Sequence, residues 1–192
     1  QRQMCIRDRF WIKVERDGGR SAVVQWIGSQ ATIHGYKPSF AVPYRRDATP
    51  SDVADRVIEF LNKTVERPDF IAAYMSQVDR ESHRTGPGSP QTLQVMRQVD
   101  EQLRRIYKAI QSLKGKINFV VVSDHGFADV KLDGRIKLSS LLPDYTNKVL
   151  MAACSPFTSI YTRPGDTTEV YKAVKKAAAA FGGRLAVYLR EE

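Results

Sequence analysis

Cysteine is scarce in this 192-residue chain, at Cys5 and Cys154 only. The opening stretch QRQMCIRDR has no helical or strand period and no apolar centre of the kind a secretory signal needs, so residues 1–9 read as a non-native scar. That leaves Cys154, and one thiol builds neither a disulfide framework nor a cysteine-based zinc site. Cysteine usage therefore leaves the compartment open. No run of about 18 apolar residues occurs, which excludes a membrane-spanning helix. The net charge is +9, yet the basic residues are dispersed. There is no block of five to eight Lys/Arg and no zinc-finger or RNA-recognition motif. A nucleic-acid module thus ranks below a basic surface that attracts anionic substrates. Histidine is also rare, with three residues in the chain.

What is present is enough apolar residue, 42%, to bury a core in one domain or one domain with an appendage. Apolar runs at 21–26 (SAVVQW), 69–75 (DFIAAYM) and 117–122 (INFVVV) have strand length, and the last is continuous, as expected where both faces of a sheet are covered. Between them lie helical patterns. Thr49 is placed to cap a helix with Pro50 at its first position and Val53, Val57, Phe60 and Leu61 on its buried face. ESHRTGPGSP reads as loop. Ser89 and Pro90 then open a second helix with Leu93, Met96, Val99, Leu103, Ile106, Ile110 and Leu113 spaced by three or four, ended by Gly115. Strands alternating with helices predict an α/β fold with a mostly parallel sheet and helices on both faces. Beyond residue 130, KLSSLLP reads as a short helix. FTSIYT and RLAVYL flank a helix that Asp166 and Glu169 would cap, with Val170, Val174, Ala177 and Phe181 as its apolar face. The chain divides on this reading into 10–145, part of a main α/β domain, and 146–192, a small strand–helix–strand subdomain.

Ligands of open α/β sheets sit beyond the carboxyl ends of the strands. Two of the predicted strands lead there into an Asp/His pair: Asp79 with His83 in SQVDRESH, and Asp124 with His125 in SDHG. Carboxylate and neutral imidazole are oxygen and nitrogen ligands of zinc. Each pair has a plainer reading alone, since an Asp after a strand is commonly a cap or turn residue and D-x-x-x-H arises by accident. On two strand ends of one sheet they could form a two-metal centre. His34, in TIHGYKP, reads as a loop residue.

These stretches resemble the nucleotide pyrophosphatase/phosphodiesterases of the alkaline phosphatase superfamily. YMSQVDRESHRTGPGSP is similar to the family's Y-x-x-x-P-D-x-x-G-H-x-x-G-P-x-S. FWIKVE resembles its P-I-W-V-T-A-E strand, QWIGSQATIHGYKP its F-W-P-G-S-x-x-x-I-x-G-x-x-P, and ERPDF and VVSDHGF follow in family order. The likeness covers about residues 10 to 192. It implies an alkaline-phosphatase-like fold and hydrolysis of phosphodiester or pyrophosphate bonds. It implies two Zn2+ per complete enzyme, one held by Asp79 and His83 and the other by Asp124 and His125. Tyr44 matches the aromatic on which a nucleotide base stacks, and Tyr74 and Trp26 match other pocket positions. The partner is then a small-molecule nucleotide or phosphodiester, and the resemblance implies an extracytoplasmic setting, periplasmic or secreted.

The family's Thr nucleophile, the Asp ligand and Asn near it, and a later His ligand match no position here. The chain is thus expected to be an internal fragment, inactive alone. Val78 stands where the family has Pro, Ser82 where it has Gly, and Gln30 where an acidic residue is common, which leaves the substrate open. The alternatives are a phosphomonoesterase, sulfatase or phosphonate hydrolase of the same superfamily, or a non-catalytic homologue that binds nucleotides.

Overall fold

The computed structural model describes residues 9–130, 136–154 and 157–190. Residues 1–8, most of the stretch expected to be a scar, lie outside the described residues. The chain forms two compact units, one ending at Asp129 and one beginning at Val130.

The first unit is built on a three-stranded parallel sheet in the order β2–β1–β3, formed by Ser21–Val24 (β1), Phe40–Val42 (β2) and Phe70–Ala73 (β3). β1 is central, pairing Ala22 with both Phe40 and Ile71, and all four of its residues are buried. That pattern requires cover on both faces. On one face lies α1 (Phe10–Arg16), whose Trp11 and Ile12 pack on Val23, Phe70 and Ala72. On the other lies α2 (Pro50–Leu61), whose Val53, Ala54, Val57, Phe60 and Leu61 meet Ala22 and Val24. α4 (Pro90–Gln111) joins this second core through Ile106. The predicted doubly covered α/β sheet is thus present.

α2 begins as the sequence reading expects. The Thr49 hydroxyl accepts from the Asp52 backbone N–H, and the Asp52 carboxylate accepts from the Thr49 N–H, with Pro50 at the first helical position. Arg105 of α4 then pairs with Asp55 of α2 at 2.6 Å.

Several expectations need correction. FWIKVE forms α1 and not a strand; it buries Trp11 and Ile12 while Lys13 pairs with Asp17 one turn on. ESHRT is not loop: it completes α3 (Gln77–Thr85), and the turn is confined to Gly86–Ser89. The 117–122 run is not a strand, and Val120 and Val122 are 78% and 82% exposed. An extended segment joins a sheet only when a partner accepts its hydrogen bonds, and no ladder reaches this one among the described residues. α4 ends at Gln111 with Ser112 as its cap, ahead of Gly115, and Leu93 and Met96 remain exposed.

The second unit holds an antiparallel hairpin of Val149–Cys154 (β4) and Phe157–Thr162 (β5), the short α5 (Leu138–Leu141) and α6 (Thr167–Ala179). Val170 and Val174 of α6 pack with Leu142, Met151 and Ile160. β5 and α6 match the expected elements, but 184–189 is no strand and β4 was missed. Ala178 takes the buried place expected of Ala177, and Phe181 lies beyond the helix, half-buried. Asp166 occupies the cap position in helical backbone without a side-chain cap bond, and Glu169 pairs with Lys148 at 3.3 Å. Among the described residues no helix is long and apolar enough to cross a membrane.

Candidate active site

Asp79 and His83 stand four residues apart on α3, so they share one helical face. The helix is held at both ends. At its start the Gln77 amide donates to the Ala48 carbonyl at 2.7 Å, tying α3 to the lead-in of α2. At its end Gly86 has φ +92°, a conformation open to glycine and strained for other residues. The Thr92 hydroxyl donates to the Gly86 carbonyl at 2.8 Å, and Ser89 caps α4 by accepting from the Thr92 N–H. The GPGS turn therefore locks α3 against α4. Ser82, which replaces the family's Gly, is buried within α3 in ordinary helical backbone.

The second pair lies on the segment after residue 122, and it meets the first. Nε2 of His83 is 3.6 Å and Nε2 of His125 is 3.7 Å from the same Asp79 oxygen, Oδ1. Asp124 Oδ2 is 3.8 Å from His125 Nε2. His125 Nδ1 lies 3.0 Å from the Gly126 carbonyl. A carbonyl only accepts, so Nδ1 is the donor there, and Nε2 is the ring nitrogen that faces the cluster. Two carboxylates and two imidazoles with a free ring nitrogen fit zinc by donor type. The four donors stand open and separate: among the described residues no group of three or more is set as a ready metal cage.

Beside Asp79 and His83 opens a cavity of about 580 Å³, lined also by Ile27, Tyr44, Tyr74 and three arginines, Arg46, Arg80 and Arg84. Arg80 donates to the backbone carbonyl of Arg46, drawing the Tyr44-bearing loop to α3. Burial, then the nearby negative charges of Asp79 and Asp124, raises the Tyr74 hydroxyl above its ordinary pKa of 10.0. It is therefore neutral, and able to donate, at physiological pH. Trp26 is not on the cavity wall; it stands behind, 5.8 Å from the Tyr74 ring and 5.9 Å from that of Trp11. His34 lies in a loop with φ +52°.

All four donors, both tyrosines and Trp26 thus fall in one region of the first unit. The sequence reading missed the arginines: with 81–85 read as loop the shared helical face of Arg80 and Arg84 was hidden, and Arg46 lies on another stretch of chain. Read as helix, Arg80 and Arg84 have the same four-residue spacing as Asp79 and His83, one residue on.

The sequence profile of the type I phosphodiesterases / nucleotide pyrophosphatases matches residues 2–192. The chain belongs to this family. An uncharacterized pyrophosphatase/phosphodiesterase of Schizosaccharomyces pombe is 30% identical over 69% of this chain and 29% of its own. Human ectonucleotide pyrophosphatase/phosphodiesterase family member 5 is 27% identical over 95% of this chain and 37% of its own. The Xenopus laevis bis(5'-adenosyl)-triphosphatase is 26% identical over 95% and 40%. Among solved structures, an inactive murine ectonucleotide pyrophosphatase/phosphodiesterase 5 in complex with AMP superposes with a TM-score of 0.76 at 27% identity, over 86% of this chain and 44% of that one. The likeness makes the fold alkaline-phosphatase-like. The chain spans less than half the length of each of these relatives.

Proposed function

We propose that this chain carries the metal-binding and nucleotide-binding portion of a phosphodiesterase/nucleotide pyrophosphatase. The observation that carries the reading is the meeting of two Asp/His pairs, from α3 and from residues 124–125, at one Asp79 oxygen beside an arginine- and tyrosine-lined cavity.

Asp79 with His83, and Asp124 with His125, would hold two zinc ions. Bound zinc polarises phosphoryl oxygens and lowers the pKa of a hydroxyl nucleophile or water. The Thr nucleophile that the family resemblance implies matches no position of this chain and would have to come from polypeptide outside it. The chain's own residues bind and orient the substrate. Arg46, Arg80 and Arg84 place positive charge along the cavity wall, where phosphate oxygens are attracted and aligned. Tyr44, 38% exposed at the mouth, offers its ring face to a base. Tyr74 supplies a neutral hydroxyl donor near Asp79 and Asp124, and Trp26 braces its ring. The family relationship and the AMP complex of the murine neighbour support a nucleotide substrate. The ectonucleotide relatives support a setting outside the cytoplasm.

The test is activity of a polypeptide lengthened to the span of its relatives. It should hydrolyse p-nitrophenyl thymidine 5'-monophosphate faster than p-nitrophenyl phosphate, and lose that activity to a chelator. The reverse preference would favour a phosphomonoesterase, and no activity on either with zinc bound would sink the enzyme reading.

A further inference from the structure

Residues 123–129 carry half of the proposed ligand set, yet no strand pairing holds them. Among the described residues their hydrogen bonds are local. Ser123 donates to the His125 carbonyl, the His125 N–H to Asp124, and His125 Nδ1 to the Gly126 carbonyl. None of these reaches α3. A polar contact of 3.7 Å between His125 and the half-exposed Asp79 holds little by itself.

Phe127 supplies a firmer link. Its ring centroid lies 4.9 Å from that of His83 at 80° and 5.4 Å from that of His125 at 65°. Both are the perpendicular arrangement that aromatic rings prefer. One ring thus contacts both imidazoles, one on α3 and one on the following segment. An imidazole donates its lone pair only in its own plane, so whatever fixes the plane fixes where Nε2 points. We infer that Phe127 is a positioning residue that sets the planes of His83 and His125 together, keeping both Nε2 atoms beside Asp79. This rests on the metal-binding reading above and adds to it a residue that touches no metal. At 36% exposure Phe127 is not a core side chain, so its replacement disturbs the fold little.

The test compares zinc affinity of the 192-residue chain, by competition with a chromophoric chelator, for wild type, Phe127→Leu, Phe127→Tyr and His83→Ala. The visible spectrum of the Co2+-loaded forms is recorded alongside. Phe127→Leu keeps an apolar side chain of similar size but no ring. It should weaken zinc about tenfold, as loss of an orienting neighbour does, and alter the Co2+ bands, while the metal-free melting curve overlays that of wild type. Phe127→Tyr should restore both readouts. Wild-type affinity in Phe127→Leu, or a loss in Phe127→Tyr equal to that in Phe127→Leu, overturns the inference alone. Should wild type bind no zinc, or His83→Ala bind it as wild type does, the metal reading fails and the role of Phe127 falls with it.

Discussion

Oδ1 of Asp79 lies 3.7 Å from Nε2 of His125, although the two residues belong to different stretches of chain. His83 approaches the same oxygen at 3.6 Å. Asp79 is therefore the point at which the helix-borne pair and the loop-borne pair meet, and it is the least exposed of the four side chains, at 38%.

Asp79→Asn should then cost the chain more zinc affinity than any other single change in the set. The expected loss exceeds the roughly 10–100-fold typical of removing an outer partner of a ligand. Chelator competition reads it directly. A smaller loss than in Asp124→Asn would remove Asp79 from the centre of the site.

Nucleotide affinity should depend on the Tyr44 ring. Stacking of a base on an aromatic contributes about 1–3 kcal/mol. Tyr44→Ala should weaken AMP binding accordingly in calorimetric titration, while Tyr44→Phe, which keeps the ring, should bind as wild type does. Equal losses in both would assign the effect to the hydroxyl.

Glu15 gives the first unit a pH-dependent contribution. Burial pushes its carboxyl up from 4.5, but hydrogen bonds from the Ser21 and Ser39 hydroxyls and N–H groups outweigh this and leave the pKa lowered. The folded value thus lies below the unfolded one. The stabilisation is fully present above about pH 4.5 and is lost as pH falls through the folded value. Glu15→Gln should be less stable by about 1–2 kcal/mol near neutrality. Its urea midpoint should also vary less with pH below 4.5 than that of wild type.

Thr49→Ala removes one half of the reciprocal cap on α2. The expected cost is about 1 kcal/mol, read from the urea midpoint. A serine at the same position should recover most of it.

The parts legible in the sequence were those whose cause is local. Thr49, Pro50 and the Val53–Val57–Phe60–Leu61 face specify α2 within a dozen residues, and Ser89 before Pro90 specifies the start of α4. α3 was hidden because the Gly and Pro of residues 86–88 gave their loop character to the helical residues just before them. The 117–122 run misled in the opposite way. Its composition records a tendency to be buried in a sheet, but a strand exists only where another accepts its hydrogen bonds, and composition says nothing of that. Likewise Phe127 closes the VVSDHGF stretch, but its contact with two imidazole rings is not visible there.

By itself, then, the sequence determined the donor chemistry and the local spacing: an acid and an imidazole four apart, another pair adjacent, and a parallel sheet to carry them. Only the tertiary structure decided that both imidazoles face one Asp79 oxygen, with three arginines and two tyrosines around the neighbouring cavity. The reason is physical. Spacing along a helix follows from backbone geometry, whereas closeness between α3 and residues 124–127 rests on contacts between separate stretches of chain, among them the Phe127 ring against His83 and His125.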